Sequence, residues 1–417
     1  MGSLLDQLDQ PAAWADFLDY KRTKGHLTKR QDQALAAFVE GQGYLAPVAA
    51  LRSGCFPLPQ RRLVNKAGST KKRVVYSFPD DATYVLKLLA HLLYRYDSRQ
   101  PPGCYSFRRG ISAHSAIRAL AGTNGIGQMW CYKADVADYF NSIDVGRLLP
   151  MLAAVVDDDP DLLDCLSGLL TADAAWQDGS LVIGPRGVMA GVPLAPFLAN
   201  LYLGDLDREL AGRAPYARYS DDIIVFAQSL AQAEAFRGLI HRRLAELGLR
   251  VNPVKESLTG PGEAWEFLGV AYQDGQIDLS LATRKKLKGK IRRKARALRR
   301  WMLRHEASPQ RAVGATIRVF NRKFFVGRGR DELNWSRWFF PLLTRPDSLH
   351  EMDVYLQQYL RWIPTGRHRA GNYRLSYADL KDLGYRSLVH EYHAYRARVA
   401  GSQGDRAASG VDRRHPM

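Results

Sequence analysis

Apolar residues cluster at helical spacing near the start of the chain: Leu4, Leu5 and Leu8, then Trp14, Phe17 and Leu18, then Leu35, Phe38 and Val39. Recurrence every three to four residues marks one face of a helix, so residues 1–55 are expected to form a helical N-terminal extension. From 56 to 278 the pattern is mixed. Short runs at 73–78, 129–136, 218–227 and 264–272 predict strands; longer ones at 82–96, 113–120, 194–210 and 231–247 predict helices. Strands and helices interleaved in this way predict an α+β domain. From Ser280 to about Arg396 the pattern is helical again. There Leu287, Ile291, Ala295, Leu298 and Met302 recur at three- and four-residue intervals, which leaves Lys and Arg on the remaining surface. Residues 279–400 are therefore expected to form a basic helical region, and the Gly-, Ser- and Arg-rich tail 401–417 to be disordered. No internal repeat is visible.

Length and composition narrow the picture. A chain of 417 residues exceeds the size at which single cores stop growing, so two or three subdomains are expected. With 46% hydrophobic and 24% charged residues, the chain reads as globular. The acidic start MGSLLDQLDQ lacks the serial regions of a signal peptide, and no apolar run reaches the roughly 20 residues that span a bilayer. Cys55, Cys104, Cys131 and Cys165 are far apart and form no C-x-x-C pair. A zinc site or disulfide framework is not expected, and a reducing cytoplasm is the natural compartment.

Charge is more informative. Lys and Arg exceed Asp and Glu by 18, and the excess is concentrated. Between Arg284 and Arg330 stand eighteen Lys or Arg and one acid, Glu306. A single-sign surface of this size repels itself unless a polyanion neutralises it. Trp301, Phe320, Phe324 and Phe325 lie in the same stretch, and basic side chains interleaved with aromatics suit nucleic acid.

The candidate chemistry begins at RYSDDIIVF, 218–226, where two aspartates stand before an apolar run. Asp221 and Asp222 could simply close a hairpin between 217–220 and 223–227, since aspartate suits tight turns. Upstream, WCYKADVADYFNSID, 130–144, carries strand-like alternation into Asp135. Nucleotidyl transfer uses two divalent cations about 3.5–4 Å apart. Because Mg²⁺ prefers hard oxygen ligands and keeps part of its water, two or three carboxylates are enough. Between the two segments lies RGVMAGVPLAPFLANLYLGDLD, 186–207, a Gly/Pro-broken loop and then an apolar helix. Gly187 and Gly191 would let a backbone approach a base or nucleotide closely.

The order of these segments resembles a family. From 135 to 269 the chain reads D-V-A-D-Y-F, G-V-P-L-A-P-x-L-A-N-x-Y-L, Y-S-D-D, G-L-x-V-N-x-x-K and F-L-G. This is similar to motifs A to E of reverse transcriptases. KAGSTKKRVVYSF, 66–78, resembles their first fingers motif, and YSFRRGISAHSAI, 105–117, a segment of bacterial and group II intron enzymes. The resemblance is close over roughly 50–280 and looser through the basic helices. It implies a right-hand polymerase fold, with fingers and an antiparallel palm sheet in 56–278 and a helical thumb in 279–400.

On this resemblance Asp135, Asp221 and Asp222, with the Val136 carbonyl, would bind two Mg²⁺ ions, Mn²⁺ being the alternative. Lys66 and Arg73 would clamp the incoming triphosphate. Phe140 would pack under the sugar and exclude a 2′-hydroxyl, favouring dNTPs, while Ala190 and Gly191 would border the nucleotide. Many relatives carry Gln and Ser where this chain has Ala190 and Ala195, so nucleotide positioning is expected to differ. Lys255 would protonate departing pyrophosphate. Arg108, Arg109, Phe267, Gly269, Lys285, Lys288, Arg292, Arg293 and Arg296 would contact nucleic acid.

No endonuclease, RNase H-like or zinc module is recognisable, nor are the N-A-x-x-H and V-T-G signatures of retron enzymes. Residues 337–396 resemble the C-terminal regions of stand-alone, defence-associated reverse transcriptases, which implies a noncoding RNA template and a DNA product in antiphage immunity. The alternatives are a diversity-generating, retron-like or intron-derived enzyme, an RNA-dependent RNA polymerase, which Phe140 disfavours, or a non-catalytic RNA-binding protein that keeps the fold.

Overall fold

The computed structural model describes residues 2–24, 27–65, 72–326, 334–368 and 370–409. The chain divides into two compact units, Met1–Glu263 and Ala264–Met417. In the first unit a 3-10 turn, Leu4–Asp9, leads into α1 (Pro11–Lys24), α2 (Lys29–Glu40) and α3 (Leu45–Arg52). These are not an appendage. Leu4, Leu5, Leu8, Trp14, Phe17 and Val48 belong to the same buried cluster as Val85, Leu86 and Leu89 of α4 (Asp80–Leu92). Trp14 stacks on Tyr44 with ring centroids 4.9 Å apart and donates from Nε1 to the Leu8 carbonyl at 2.8 Å. The buried Asp159 carboxylate accepts from the Leu4 N–H and the Ser3 hydroxyl, both at 2.7 Å, so the N-terminus is tied to a distant segment. The expected extension is thus part of the first unit's core.

Two four-stranded sheets follow. The first has the order β2-β1-β4-β5, from Lys72–Ser77, Gln60–Asn65, Ala174–Gln177 and Ser180–Ile183. The second is antiparallel with the order β6-β7-β3-β8, from Tyr216–Tyr219, Asp222–Ala227, Trp130–Asp135 and Ser257–Thr259. Residues 223–227 of β7 are all buried, which is why its apolar run is continuous rather than alternating. Helix α5 (Ala113–Ala121) packs on β6. The expected single helix over 194–210 is two, α6 (Ala195–Tyr202) and α7 (Gly204–Ala211), broken at Leu203. Helix α8 (Leu230–Glu246) packs on β3 and β7.

The second unit opens with a three-stranded sheet, β9 (Trp265–Phe267), β10 (Val270–Gln273) and β11 (Gln276–Leu279). One strand over 264–272 is thereby replaced by a hairpin. Leu268 and Gly269 both have positive φ, 48° and 91°, as a two-residue turn with both central residues left-handed requires. The basic region is helical: α9 (Leu281–Arg304), α10 (Pro309–Asn321), α11 (Asp347–Thr365) and α12 (Leu388–Ser409). Leu287, Ile291, Ala295 and Met302 are the buried seam of α9. The buried Asp353 carboxylate accepts from the Leu388 and Val389 N–H groups at 2.9 and 3.1 Å, capping α12 from another helix. That last helix runs through Ser409, where the composition predicted an irregular tail from 401; residues 410–417 lie outside the described set. Among the described residues no single helix is long and apolar enough to cross a membrane.

Candidate active site

Strands β3 and β7 pair so that Asp135, the last residue of one, stands opposite Asp222, the first of the other. Strands β6 and β7 are joined by Ser220 and Asp221 alone, a two-residue hairpin with Ser220 at φ 60°. The turn is fastened to the end of β3, because the Asp221 carbonyl accepts from the Val136 N–H at 2.9 Å. All three aspartates are thus set by sheet register. Asp135 is buried, at 3% exposure.

Crowding acts on their titration. Burial raises the Asp221 carboxyl above its ordinary range, and the negative charges of Asp135 and Asp222 add to the shift. Burial raises Asp222 likewise, with Asp135 contributing and Lys133 opposing. The Lys133 ammonium stands 3.9 Å from Asp222 Oδ1, a loose pair. Asp135 is better served: the Asn252 amide donates to its Oδ1 at 3.3 Å, and the Lys255 ammonium pairs with its Oδ2. Burial works against the Lys255 charge, but the hydrogen bond to Asp135 and the three carboxylates raise its pKa above the ordinary value. Lys255 thus acts as a counter-ion to the cluster.

These donors are hard oxygens on a rigid frame, and their mutual repulsion calls for positive charge. Their chemistry therefore fits Mg²⁺ or Mn²⁺. As they stand, no three carboxylate, imidazole or thiol groups among the described residues are gathered into a finished ligand set, and Asp135 is engaged by Lys255 and Asn252.

A cavity of about 940 Å³ brings together Asp135, Val136, Asp221, Phe140, Arg73, Ala190 and Lys255. Arg73 lies on β2 and is exposed; Phe140 is half-buried. Gly191 lines an adjoining cavity that shares Arg73, Phe140 and Ala190. Lys66 lies outside the described residues.

The two glycines of the loop are places of close approach to protein backbone. At Gly187, with φ 60°, a Cβ would stand 2.1 Å from the Phe140 carbonyl oxygen; at Gly191, with φ 104°, it would stand 2.9 Å from that of Tyr76. The Val188 N–H donates to Phe140 O at 2.9 Å and the Tyr76 N–H to Ala190 O at 2.8 Å. The close approaches are made to protein backbone, and they set the loop between β2 and Phe140.

Arg108 and Arg109 are committed within the protein. Arg108 donates to the carbonyls of Asp97, Cys104 and Pro101 at 3.0–3.2 Å. Arg109 lies over the Tyr94 ring at 4.9 Å and contacts His91. Phe267 and Gly269 belong to the second unit, where the Phe267 ring is buried and the Gly269 carbonyl accepts from the Thr283 hydroxyl at 2.8 Å. On α9, Lys285, Arg292, Arg293 and Arg296 are exposed, while Lys288 pairs with Glu351 at 2.5 Å.

Beneath the hairpin lies a network that the sequence did not reveal. Arg218 and Asp207 are both fully buried and form a bidentate pair, at 2.7 Å through Nε and 2.5 Å through Nη2. Tyr216 donates its hydroxyl to Asp207 at 2.7 Å. Burial pushes the Asp207 carboxyl up and Arg218 draws it back. The guanidinium keeps its proton, and its two-donor geometry on Asp207 is that of a salt bridge. The remaining Arg218 donors reach the carbonyls of Ser220 at 3.2 Å and Asn200 at 3.1 Å. From the other side, the Ser106 hydroxyl accepts from the Ser220 N–H at 2.9 Å and donates to the Asn200 amide oxygen at 3.0 Å. Both backbone groups of Ser220 are therefore held from below.

A sheet that sets two aspartates in the wall of a cavity of about 940 Å³, with a third in register beside them, is the arrangement of palm-type nucleic-acid polymerases. A family model, "Reverse transcriptase (RNA-dependent DNA polymerase)", matches residues 64–272, half of the chain, and the chain belongs to that family. Its fold is the mixed α/β right-hand polymerase fold. It is 30% identical over 183 residues to the retron Mx65 reverse transcriptase of Myxococcus xanthus, covering 41% of this chain and 42% of that protein. It is 24% identical over 190 residues to the retron Ec86 reverse transcriptase of Escherichia coli, covering 44% and 55%. The chain thus spans about half the length of these relatives. A solved structure of telomerase from Candida albicans with a fragment of telomeric RNA matches at TM-score 0.42 and 12% identity, over 83% of this chain and 66% of that one.

Proposed function

We propose that the chain is an RNA-directed DNA polymerase that extends a primer 3′-hydroxyl with dNTPs on an RNA template. The observation that carries this reading is that Asp135 and Asp221 line one cavity with Arg73 and Phe140, while Asp222 stands opposite Asp135 in the sheet register. Asp135, Asp221 and Asp222, with the Val136 carbonyl, would hold two Mg²⁺ ions, which when bound supply Lewis-acid stabilisation to the attacking and leaving oxygens. Arg73 presents a planar donor fork suited to a triphosphate. Lys255, kept protonated beside Asp135, is poised as the acid for departing pyrophosphate. The template we infer is a cognate noncoding RNA, copied into DNA in the cytoplasm in antiphage defence. The resemblance of 337–396 to defence-associated enzymes supports this, and the similarity to two retron reverse transcriptases supports the RNA-directed DNA synthesis. Primer extension on an RNA template, abolished by chelation, tests the activity. Sequencing the RNA that copurifies with the protein, and the DNA made on it, tests the template.

Two expectations refine this reading. Phe140→Ala should lower the preference for dNTPs over NTPs by about tenfold or more, because the cavity loses the bulk that meets a 2′-hydroxyl. Incorporation kinetics with each nucleotide class check this, and unchanged discrimination would remove Phe140 from the sugar pocket. Replacing Lys285, Arg292, Arg293 and Arg296 with alanine should flatten the salt dependence of template–primer binding. Each lost phosphate contact lowers the slope by about 0.9, so four such contacts would lower it by about 3 to 4. An unchanged slope would show that these four α9 cations do not track the backbone.

A further inference from the structure

The second unit carries a surface that tracking a duplex backbone does not require. On α11, Tyr355, Tyr359 and Trp362 follow one another at spacings of four and three residues, on one side of the helix. Their ring centroids are 5.0 and 5.9 Å apart, and His368, just past the helix, lies 5.6 Å from Tyr359 and 6.3 Å from Trp362. The three larger rings are half-buried and His368 is exposed, so this is a row at the surface rather than a core.

Alongside runs α9, with Lys288, Arg292, Arg296 and Arg299 at spacings of four, four and three. The Lys288 ammonium lies 5.2 Å from the Tyr355 ring and the Arg299 guanidinium 5.5 Å from that of Trp362. The charges of Arg292 and Arg296 also reach Tyr355. Glu351 stands at one end and pairs with Arg284 and Lys288. Among the described residues Arg292 and Arg296 have no carboxylate within 4 Å.

The opposite flank of α9 has a different make-up. Burial, and then the Lys290, Lys286 and Arg293 cations, push the Lys323 amine down to about 8. That flank gathers cations close enough to repel one another, which suits phosphates. Rings interleaved with cations provide for something more, since every base has a π-face and every nucleotide a phosphate.

We propose that the row Tyr355–Tyr359–Trp362, edged by Lys288, Arg292, Arg296 and Arg299, is a stacking platform for unpaired RNA. The bases lie on the rings and the phosphates meet the α9 cations. That the strand is RNA, the unpaired part of the template, rests on the polymerase reading above; the platform itself does not. Paired bases keep their faces inside a duplex, so the platform discriminates single strand from duplex without reading sequence.

The test measures binding of the full-length protein to a labelled, unstructured 12-nucleotide RNA and to a blunt RNA–DNA duplex of the same length, by fluorescence anisotropy. In Tyr355→Leu/Tyr359→Leu, affinity for the single strand should fall by about tenfold or more, with less than a twofold change for the duplex. The salt slope should be unchanged, because no charge is removed. Tyr355→Phe/Tyr359→Phe keeps the rings and should bind as the wild type does. Equal losses on both ligands by a folded leucine variant, or no loss on the single strand, would overturn the platform. Should the leucine variant not fold, photocrosslinking of a 4-thiouridine strand to the wild type decides: adducts at Tyr355, Tyr359 or Trp362 support the proposal, and adducts only elsewhere overturn it. A wild type that extends primers without those adducts rejects the platform alone. One that forms them but makes no DNA rejects the polymerase reading alone.

Discussion

Asp207→Asn is expected to destabilise the protein by about 3 kcal/mol. Removing one partner of a buried ion pair leaves the other uncompensated, at a cost of about 3–5 kcal/mol. The lower end applies because the amide oxygen can still accept from Arg218 or Tyr216. Denaturant unfolding of both proteins measures the difference, and a loss below about 1 kcal/mol would mean that the pair is not the anchor described. A companion variant separates holding the fold from holding the turn. Arg218→Met/Asp207→Leu replaces the pair with apolar groups of similar volume and should recover part of the stability, the rest being lost because the buried Tyr216 hydroxyl and the Ser220 carbonyl lose their partners. It should not recover nucleotide incorporation, because the Ser220 and Asn200 carbonyls lose their donors and the aspartate turn loses its support. Full activity in a stable double variant would show that Arg218 serves only the core.

Asp221→Asn has the opposite signature. Polarisation of reacting oxygens by a carboxylate-held metal is worth several kcal/mol, and each 1.36 kcal/mol is a factor of ten in rate. Incorporation should therefore fall by about 10³-fold or more. Stability should not fall with it. Burial and the neighbouring Asp135 and Asp222 already raise the Asp221 carboxyl, so its ionised form is disfavoured in the folded protein. A carboxyl raised on folding loses stability as pH climbs through the window above its ordinary value, and asparagine removes that loss. Unfolding in chelator at neutral pH should accordingly show Asp221→Asn at least as stable as the wild type. The Asp207 variant tests the frame and the Asp221 variant the chemistry, and the two readouts move independently.

The strands that carry Asp135 and Asp222 were legible in the sequence for a simple reason. The run after Asp222 is apolar throughout because β7 is buried on both faces, and Asp135 ends a strand paired with it in register. The supporting network was illegible for an equally physical reason. A lone arginine in a strand reads as solvated, and nothing local announces that Arg218 is fully buried against Asp207 or that Ser220 rests on Ser106. Such pairings belong to tertiary structure. Gly187 and Gly191 were recognised as places of close approach, but not that protein backbone is what approaches. By apolar pattern alone the run 264–272 reads as one strand, because a leucine seldom adopts positive φ; the resemblance of Phe267-Leu268-Gly269 to a primer-gripping hairpin was the signal for the turn found there. The N-terminal helices looked separate because their partners, Val85, Leu86, Leu89 and Asp159, lie far along the chain.

Single-nucleotide incorporation reads out whether this site joins dNTPs to a primer under the direction of RNA. Purified wild type and Asp221→Asn would each receive a primer on a defined RNA template with Mg²⁺ and one dNTP at a time, with binding of the same template–primer measured in parallel. The wild type is expected to add only the complementary dNTP, and Asp221→Asn to bind comparably but incorporate at least about 10³-fold more slowly. Incorporation by Asp221→Asn at the wild-type rate, or addition by the wild type that ignores the template base, would contradict that expectation.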